Sequence, residues 1–324
     1  MNLPVQPRPG AIVTLTLNPA LDLFSTVETI EPWRKLRCNG PEMVPGGGGI
    51  NVARDVVALG GTARAVVALG GHVGGLLADS IDPRIGVTRV GVAHPTRQNF
   101  CVTERASGQQ FRFVHPGATM TADEWERCLA ATVSEAVLAS CVVVSSSMPA
   151  GLPADAIPAL IGRVRALDVP VIVDTSGPCL LQAIDADTTF VKPSVNELSN
   201  AVGRELSGVD DYEAVARQLL AGGRCAILAI SLGADGALFV PRSGESFFVN
   251  APTVDVAGTS GAGDAMVAGM AVCLSRGKSL EEAARYGVAS GTAAVLRAGS
   301  ANIRLDDVER LLERTTVRAF APGV

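Results

Sequence analysis

Val256-Ala-Gly-Thr-Ser-Gly-Ala-Gly-Asp264, followed by Ala265-Met-Val-Ala-Gly-Met-Ala-Val-Cys-Leu274, joins a loop of small residues to an apolar run. The run predicts a buried helix that opens at the loop. Gly261, Ala262 and Gly263 let backbone approach a ligand closely. Unpaired N–H groups and the positive end of the helix dipole converge at such a start, which makes it an anion site. Asp264 stands where a carboxylate can take a proton from a nucleophile, and equally where it can cap a turn. This stretch alone does not choose between the two.

Upstream, Pro45-Gly-Gly-Gly-Gly-Ile-Asn-Val-Ala-Arg54 is a second glycine loop, and it runs into a helix with apolar Val52, Val56, Val57 and Leu59. Ala63-Arg-Ala-Val-Val-Ala-Leu69 reads as a strand, and glycines 70, 71, 74 and 75 then loosen the chain before a helix near 76–82. That is a βαβ rhythm. Ala11–Leu17 is a β-rich run broken by Asn18-Pro19, with Asp22 near its end. Residues 22–45 carry Pro32, Pro41, Pro45, Lys35 and Arg37, which suits exposed strands. In the segment 97–114, Gln98–Glu104 and Gln109–Val114 flank Ala106-Ser-Gly108 as a hairpin. The two segments together predict a small separate sheet carrying Arg97 and Arg112.

Alternation then resumes, with helices expected over 121–138, 154–167 and 210–221 and strands over 141–146, 169–174, 188–191, 225–231, 236–240 and 245–249. A closing helix is expected over 279–297. The fold class is α/β: a mostly parallel sheet with helices on both faces and a β-rich lid, with ligands at the carboxyl ends of the strands.

With 324 residues and 48% hydrophobic content, the chain can bury a sizeable core, as one large α/β domain or two ordinary ones. Thirty-five glycines against 4% aromatics imply many tight turns. The net charge of −5 comes without runs of like sign, which argues against nucleic acid or an anionic membrane as partner. Seven scattered cysteines without C-x-x-C spacing read as reduced thiols in the cytoplasm. Residues 1–10 form a proline-broken leader, expected to be disordered, without the apolar core of a signal peptide. No apolar run approaches the roughly 20 residues of a membrane helix.

Two phosphate-binding patterns are incomplete in this sequence. Around Gly46–Gly49 the G-x-G-x-x-G fingerprint fails at its third glycine, which weakens an NAD-dependent dehydrogenase. Gly277-Lys278-Ser279 is a near miss to the P-loop, but Val272 stands at its first position and the segment follows a helix.

The paired glycine segments resemble the signatures of the PfkB, or ribokinase-like, carbohydrate kinases. The resemblance runs from Thr14 to about residue 313 through strings in the same order: Thr14–Asp22, Lys35-Leu-Arg-Cys38, Pro45–Arg54, Thr96-Arg-Gln-Asn99, Arg112-Phe-Val114, Lys192-Pro193, Ser231-Leu-Gly233 and Gly261-Ala-Gly-Asp264. It looks nearest to the 6-phosphofructokinase branch of the minor bacterial type, with 1-phosphofructokinases and tagatose-6-phosphate kinases as near relatives. The fold implied is a ribokinase-like α/β/α sandwich over residues 11–324, with lid segments about 22–45 and 96–115.

The same resemblance implies that Asp264 is the base that takes the proton of a sugar hydroxyl attacking the γ-phosphoryl of ATP, with Gly261, Ala262 and Gly263 meeting charge on the transferred group. Asp22, Gly47, Gly48 and Asn51 match positions that bind sugar hydroxyls, and Ser147 a substrate-side loop position. Lys35, Arg97 and Arg112 would recognise a phosphate already on the sugar; singly, each is equally an edge-strand charge. Lys192, Glu197, Ser231, Gly233 and Thr259 match positions around the ATP phosphates and Mg²⁺, and Gly291 and Thr292 lie nearer the nucleoside. Glu197 would act on the metal through water.

The sequence departs from the family twice. The N-x-x-E pattern reads Ser194-Val-Asn-Glu197, and Gly258 stands where some relatives place an aspartate associated with a monovalent cation. The implied activity is ATP- and Mg²⁺-dependent phosphorylation of a ketohexose phosphate, foremost fructose 6-phosphate, by a homodimer joined through the lid. A non-catalytic sensor of nucleotide or sugar phosphate is the alternative that the Ser194 departure leaves open.

Overall fold

The computed structural model describes residues 8–145, 147–258, 260–297 and 303–320. The chain opens with β1 (Ala11–Thr16), then leaves the main sheet for β2 (Ala20–Val27) and β3 (Asn39–Gly46). It returns through α1 (Gly48–Ala58), β4 (Ala63–Leu69), α2 (Gly71–Ser80) and β5 (Gly86–Gly91). A second excursion forms β6 (Arg97–Glu104) and β7 (Gln110–Phe113). There follow α3 (Ala122–Ala136), β8 (Ala139–Ser145), α4 (Ala156–Arg165), β9 (Val171–Asp174), α5 (Pro178–Asp185) and β10 (Phe190–Val191). Next come α6 (Val195–Val202), α7 (Gly208–Gly222), β11 (Ile227–Ser231), β12 (Gly236–Pro241) and β13 (Phe247–Asn250). The last elements are α8 (Ala262–Ser275), α9 (Leu280–Ala294), α10 (Leu305–Leu312) and β14 (Thr316–Ala319).

Ten strands form the main sheet in the order β14-β13-β12-β11-β10-β9-β8-β1-β4-β5. The run from β5 to β11 is parallel, and β12, β13 and β14 add antiparallel at one edge. Side chains alternate across this sheet. Ile12 on β1 joins a core built with α1, α2, α8, α9 and α10, whereas Val13 and Leu15 join the core under α3, α4, α5, α6 and α7. Both faces are therefore covered, which is why the central strands read as continuous apolar runs. No helix among the described residues is long and apolar enough to cross a membrane.

Because the central strands are parallel, their carboxyl ends share one edge. Thr16, Ser145, Asp174 and Ser231 close their strands there, and Lys192 directly follows β10. The lid is the second sheet, in the order β3-β2-β6-β7. It is mixed: β2 and β6 run parallel, while β3 and β7 pair antiparallel at its edges.

Several boundaries differ from the sequence reading. Asp22 lies in β2 of the lid rather than at the end of β1. The helix expected near 76–82 begins at Gly71, and the strand expected over 188–191 shrinks to two residues. The helix expected to close the chain ends at Ala294, and α10 and β14 follow it. Of the leader, Arg8 is held by Leu167, its Nη1 donating to the carbonyl at 2.6 Å; residues 1–7 lie outside the described residues.

Candidate active site

α8 starts at Gly261, whose φ of 81° is a left-handed conformation that glycine adopts without strain. Asp264 falls in the first turn, but it does not cap its own helix. Its Oδ2 accepts from Asn51 Nδ2 at 2.9 Å and its Oδ1 accepts from Ser145 Oγ at 3.1 Å. Asn51 reaches it because α1 starts tightly against the strand ends. Gly47 has φ 124°, and a Cβ built there would stand 2.7 Å from Thr16 Cγ2; one built on Gly48 would collide with Ser145 Oγ. The two glycine loops thus meet at one carboxylate.

Electrostatics concentrate at the same point. Burial raises Asp264 above the usual carboxylate range, while Asn51, Lys192, Ser145 and Arg54 draw it back. Lys192 is buried and pairs with Asp174 at 3.1 Å. Burial alone would lower the lysine, but Asp174, Glu197 and Asp264 together raise it, so it stays a cation. Burial pushes Asp174 up to about 6 against the pull of Lys192. A Cβ built on Gly263 would come within 3.3 Å of Lys192 Nζ, so this ammonium lies against the start of α8.

On the lid side, Asp22 is buried; its Oδ1 accepts from Asn99 Nδ2 at 2.8 Å, and its Oδ2 would stand 2.6 Å from a Cβ built on Gly46. Burial raises its pKa, and Asn99, Arg112 and Arg97 lower it. Arg97 Nη1 donates to the His115 carbonyl at 2.7 Å and its Nη2 to the Asn18 carbonyl at 3.3 Å. Exposed Arg112 reaches across to the loop before α8, its Nη1 donating to Ser260 Oγ at 2.8 Å. Ser147 accepts from Asn18 Nδ2 at 3.0 Å. Lys35 stands apart, in the exposed segment between β2 and β3.

The other side of α8 borders a cavity of about 360 Å³ lined by Ser231, Gly233, Ala262, Gly263, Gly291 and Thr292, with apolar Val254, Met266 and Val288. Apolar walls with a few polar groups at one end suit a small organic ligand. Beside it, Ser194 has a definite task. It caps α6, its Oγ accepting from Glu197 N at 3.2 Å, while Glu197 Oε2 accepts from Ser194 N at 2.8 Å and from Ser194 Oγ at 2.9 Å. The Ser194 hydroxyl, which stands where the family pattern has an amide, is thus part of a capping box.

The structure brings Asp264, Gly261, Ala262, Gly263, Asn51, Gly47, Gly48 and Lys192 together, with Asp22, Arg97 and Arg112 on one side and the cavity residues on the other. Thr259 lies outside the described residues. Sequence reasoning missed Ser145 and Asp174, each a polar residue closing a buried strand, and that position is the signal that could have found them. It also missed Arg54 and Asp55 on α1.

A family model described as "pfkB family carbohydrate kinase" matches residues 16–307. The ATP-dependent 6-phosphofructokinase isozyme 2 of Mycobacterium tuberculosis is 42% identical over 303 residues, covering 93% of this chain and 89% of that protein. The protein of the same name from Escherichia coli is 40% identical over 302 residues, covering 93% and 97%. A crystal structure of Escherichia coli phosphofructokinase-2 in complex with fructose-6-phosphate superposes with a TM-score of 0.85 at 38% identity, over 94% of this chain and 99% of that one.

Proposed function

Because the chain belongs to the pfkB family of carbohydrate kinases, we propose that it transfers the γ-phosphoryl group of ATP to fructose 6-phosphate, giving fructose 1,6-bisphosphate. The observation that carries this reading is the carboxylate of Asp264 at the junction of the α1 and α8 starts, between the lid and the cavity. Phosphoryl transfer asks for positioning and charge stabilisation more than for covalent chemistry.

In this reading Asp22, Gly47, Gly48 and Asn51 hold the sugar hydroxyls, with Ser147 at the rim. Arg97, Arg112 and Lys35 take the phosphate already on the sugar. Asp264 accepts the hydroxyl proton as the oxygen attacks, and Asn51 and Ser145 hold the carboxylate in place. The backbone N–H groups of Ala262 and Gly263, with Lys192, stabilise charge on the group in transit. Ser231, Gly233, Gly291 and Thr292 line the nucleotide's place, and Thr259 belongs with them by resemblance.

Mg²⁺ fits as a passenger of the nucleotide. No group of three His, Cys, Asp or Glu side chains among the described residues is placed to hold a metal. Mg²⁺ commonly rides on substrate phosphates and keeps its waters, so one carboxylate, Glu197, suffices as an indirect partner. Bound there, the ion would neutralise phosphate charge.

The lid carries Trp33, Met43, Phe100, Phe113 and Val114 exposed, which supports a homodimer formed through it. Seven free cysteines and the ATP requirement support a cytoplasmic setting. The test is ADP release with fructose 6-phosphate, fructose 1-phosphate, tagatose 6-phosphate and free fructose. Turnover should be highest with fructose 6-phosphate. Free fructose outpacing the phosphosugars would remove the assigned role of the lid cations, and silence with all four would leave the sensor reading standing.

A further inference from the structure

Asp55 is 2% exposed and lies one helical turn beyond Asn51 on α1, so the two side chains share a face of that helix. Asn51 is the residue that donates to Asp264. Arg54 Nε stands 3.6 Å from Asp55 Oδ1, beyond hydrogen-bonding distance; both atoms are buried, and neither has a hydrogen-bond partner. The same holds for Asn51 Oδ1 and for Thr14 Oγ1 and Thr16 Oγ1 of β1. Thr14 and Thr16 alternate with Val13 and Leu15, so they point into the layer of α1 and α8, as Ile12 does. A polar seam therefore runs between β1, α1 and α8 behind Asp264, and it holds the buried carboxylate of Asp55.

We propose that Asp55 is a positioning residue for phosphoryl transfer, setting through this seam how strongly Asp264 holds the proton it receives. This rests on Asp264 being the base. In the transfer step the O–H bond of the sugar breaks, its proton passes to an Asp264 oxygen, a new P–O bond forms and the bond to ADP breaks. Asp55 exchanges no atom in that step. When ionised, its charge favours a proton on Asp264 and makes Asp264 the stronger base; when neutral, it withdraws that help.

The change of state falls in the neutral range, since burial pushes Asp55 up to about 7, with Arg54 drawing it down and ionised Asp264 raising it. The charged groups facing the pair are Arg54 from α1, Asp264 from α8, and, beyond Asp264, Lys192 with its partner Asp174 from the strand ends. Thr14 and Thr16 from β1 carry no charge.

The experiment compares wild type with Asp55→Asn, which mimics the protonated form, for kcat and KM with fructose 6-phosphate and ATP from about pH 5.5 to about pH 9. Substrate phosphates titrate alike in both, so the ratio isolates Asp55. The ratio of wild type to variant in kcat should be near one at the acid end and rise to about threefold to tenfold at the alkaline end, with little change in KM. A ratio that stays constant across the range overturns the proposal.

A measurement independent of turnover and of this variant's folding uses ¹³C-carboxyl NMR of wild type and Asp264→Asn labelled at aspartate. An aspartate with a midpoint near about 7 should titrate at lower pH once the Asp264 charge is gone. No aspartate moving between the two proteins also overturns the proposal. Intact coupling without turnover of fructose 6-phosphate would sink the substrate assignment alone and leave the coupling standing.

Discussion

The α1–α8 junction and the lid solve the same problem, holding polar groups in place, by opposite means. At the junction Asp264 is fixed by Asn51 and Ser145, on elements whose apolar residues are buried against the sheet. In the lid Arg97 and Arg112 sit on short strands and Lys35 in the exposed segment between β2 and β3; Arg97 is tied to two backbone carbonyls, whereas Arg112 meets a single side-chain hydroxyl. The difference teaches where precision is needed. A proton acceptor must be placed to within tenths of an ångström, whereas a phosphate already on the sugar can be met by long, adaptable side chains.

Substitutions can break this contrast. Asp264→Asn should have the largest effect, lowering kcat by about a thousandfold, near the upper part of the range for a general base, with little change in either KM. An equal loss through KM would mean that the carboxylate binds rather than reacts.

Next comes Asp55→Asn, read through stability. A carboxyl whose folded pKa is raised binds more protons folded than unfolded, so stability is lost as pH climbs from the ordinary 3.8 to about 7. The variant removes that loss. Thermal melts should show a gain over wild type that grows between pH 5 and pH 8, bounded by about 4 kcal/mol. A gain independent of pH would mean that Asp55 is ionised throughout that range, as it is in the unfolded chain.

The lid gives smaller numbers and a sharper distinction. Arg112→Ala should raise KM for the phosphosugar by about tenfold to a hundredfold, with thermal stability unchanged. Arg97→Ala should raise it too, but should also lower Tm, because it strips donors from the carbonyls of His115 and Asn18. Identical behaviour of the two would dissolve the distinction between a cation with one exposed side-chain contact and a cation tied to two backbone carbonyls. The smallest effect is expected from Ser194→Ala, which removes a helix cap worth about 1 kcal/mol and should move Tm without changing metal dependence.

Much of this was legible in the residues. β4 runs over Ala63–Leu69 as its apolar run announces, and α8 is buried all round as its composition demands. β5 escaped because it is an edge strand ending in glycines with few buried positions, and β14 because its antiparallel partner is distant in sequence. α5 and α6 are eight residues each, too short for periodicity to declare itself. In the site, loops with glycine spacing could be found, but Ser145 and Asp174 are single polar residues at the ends of ordinary strands. Asp55 was hidden for a different reason. On an amphipathic helix a lone aspartate reads as solvent-facing, and only the approach of α8, more than 200 residues later, puts it inside.

That separation has a consequence for how the molecule is made. Asn51 and Asp264 lie 213 positions apart, so on a ribosome the first half of the junction emerges long before the second. β1 can pair with β4 early, but its other neighbour, β8, and the helix that covers α1 arrive only later. Until then the polar seam of Thr14, Thr16, Asn51 and Asp55 stays open to water. A chain interrupted between β7 and α8 carries the lid and its cations but lacks Asp264, so premature termination there yields a fragment with one half of the junction only.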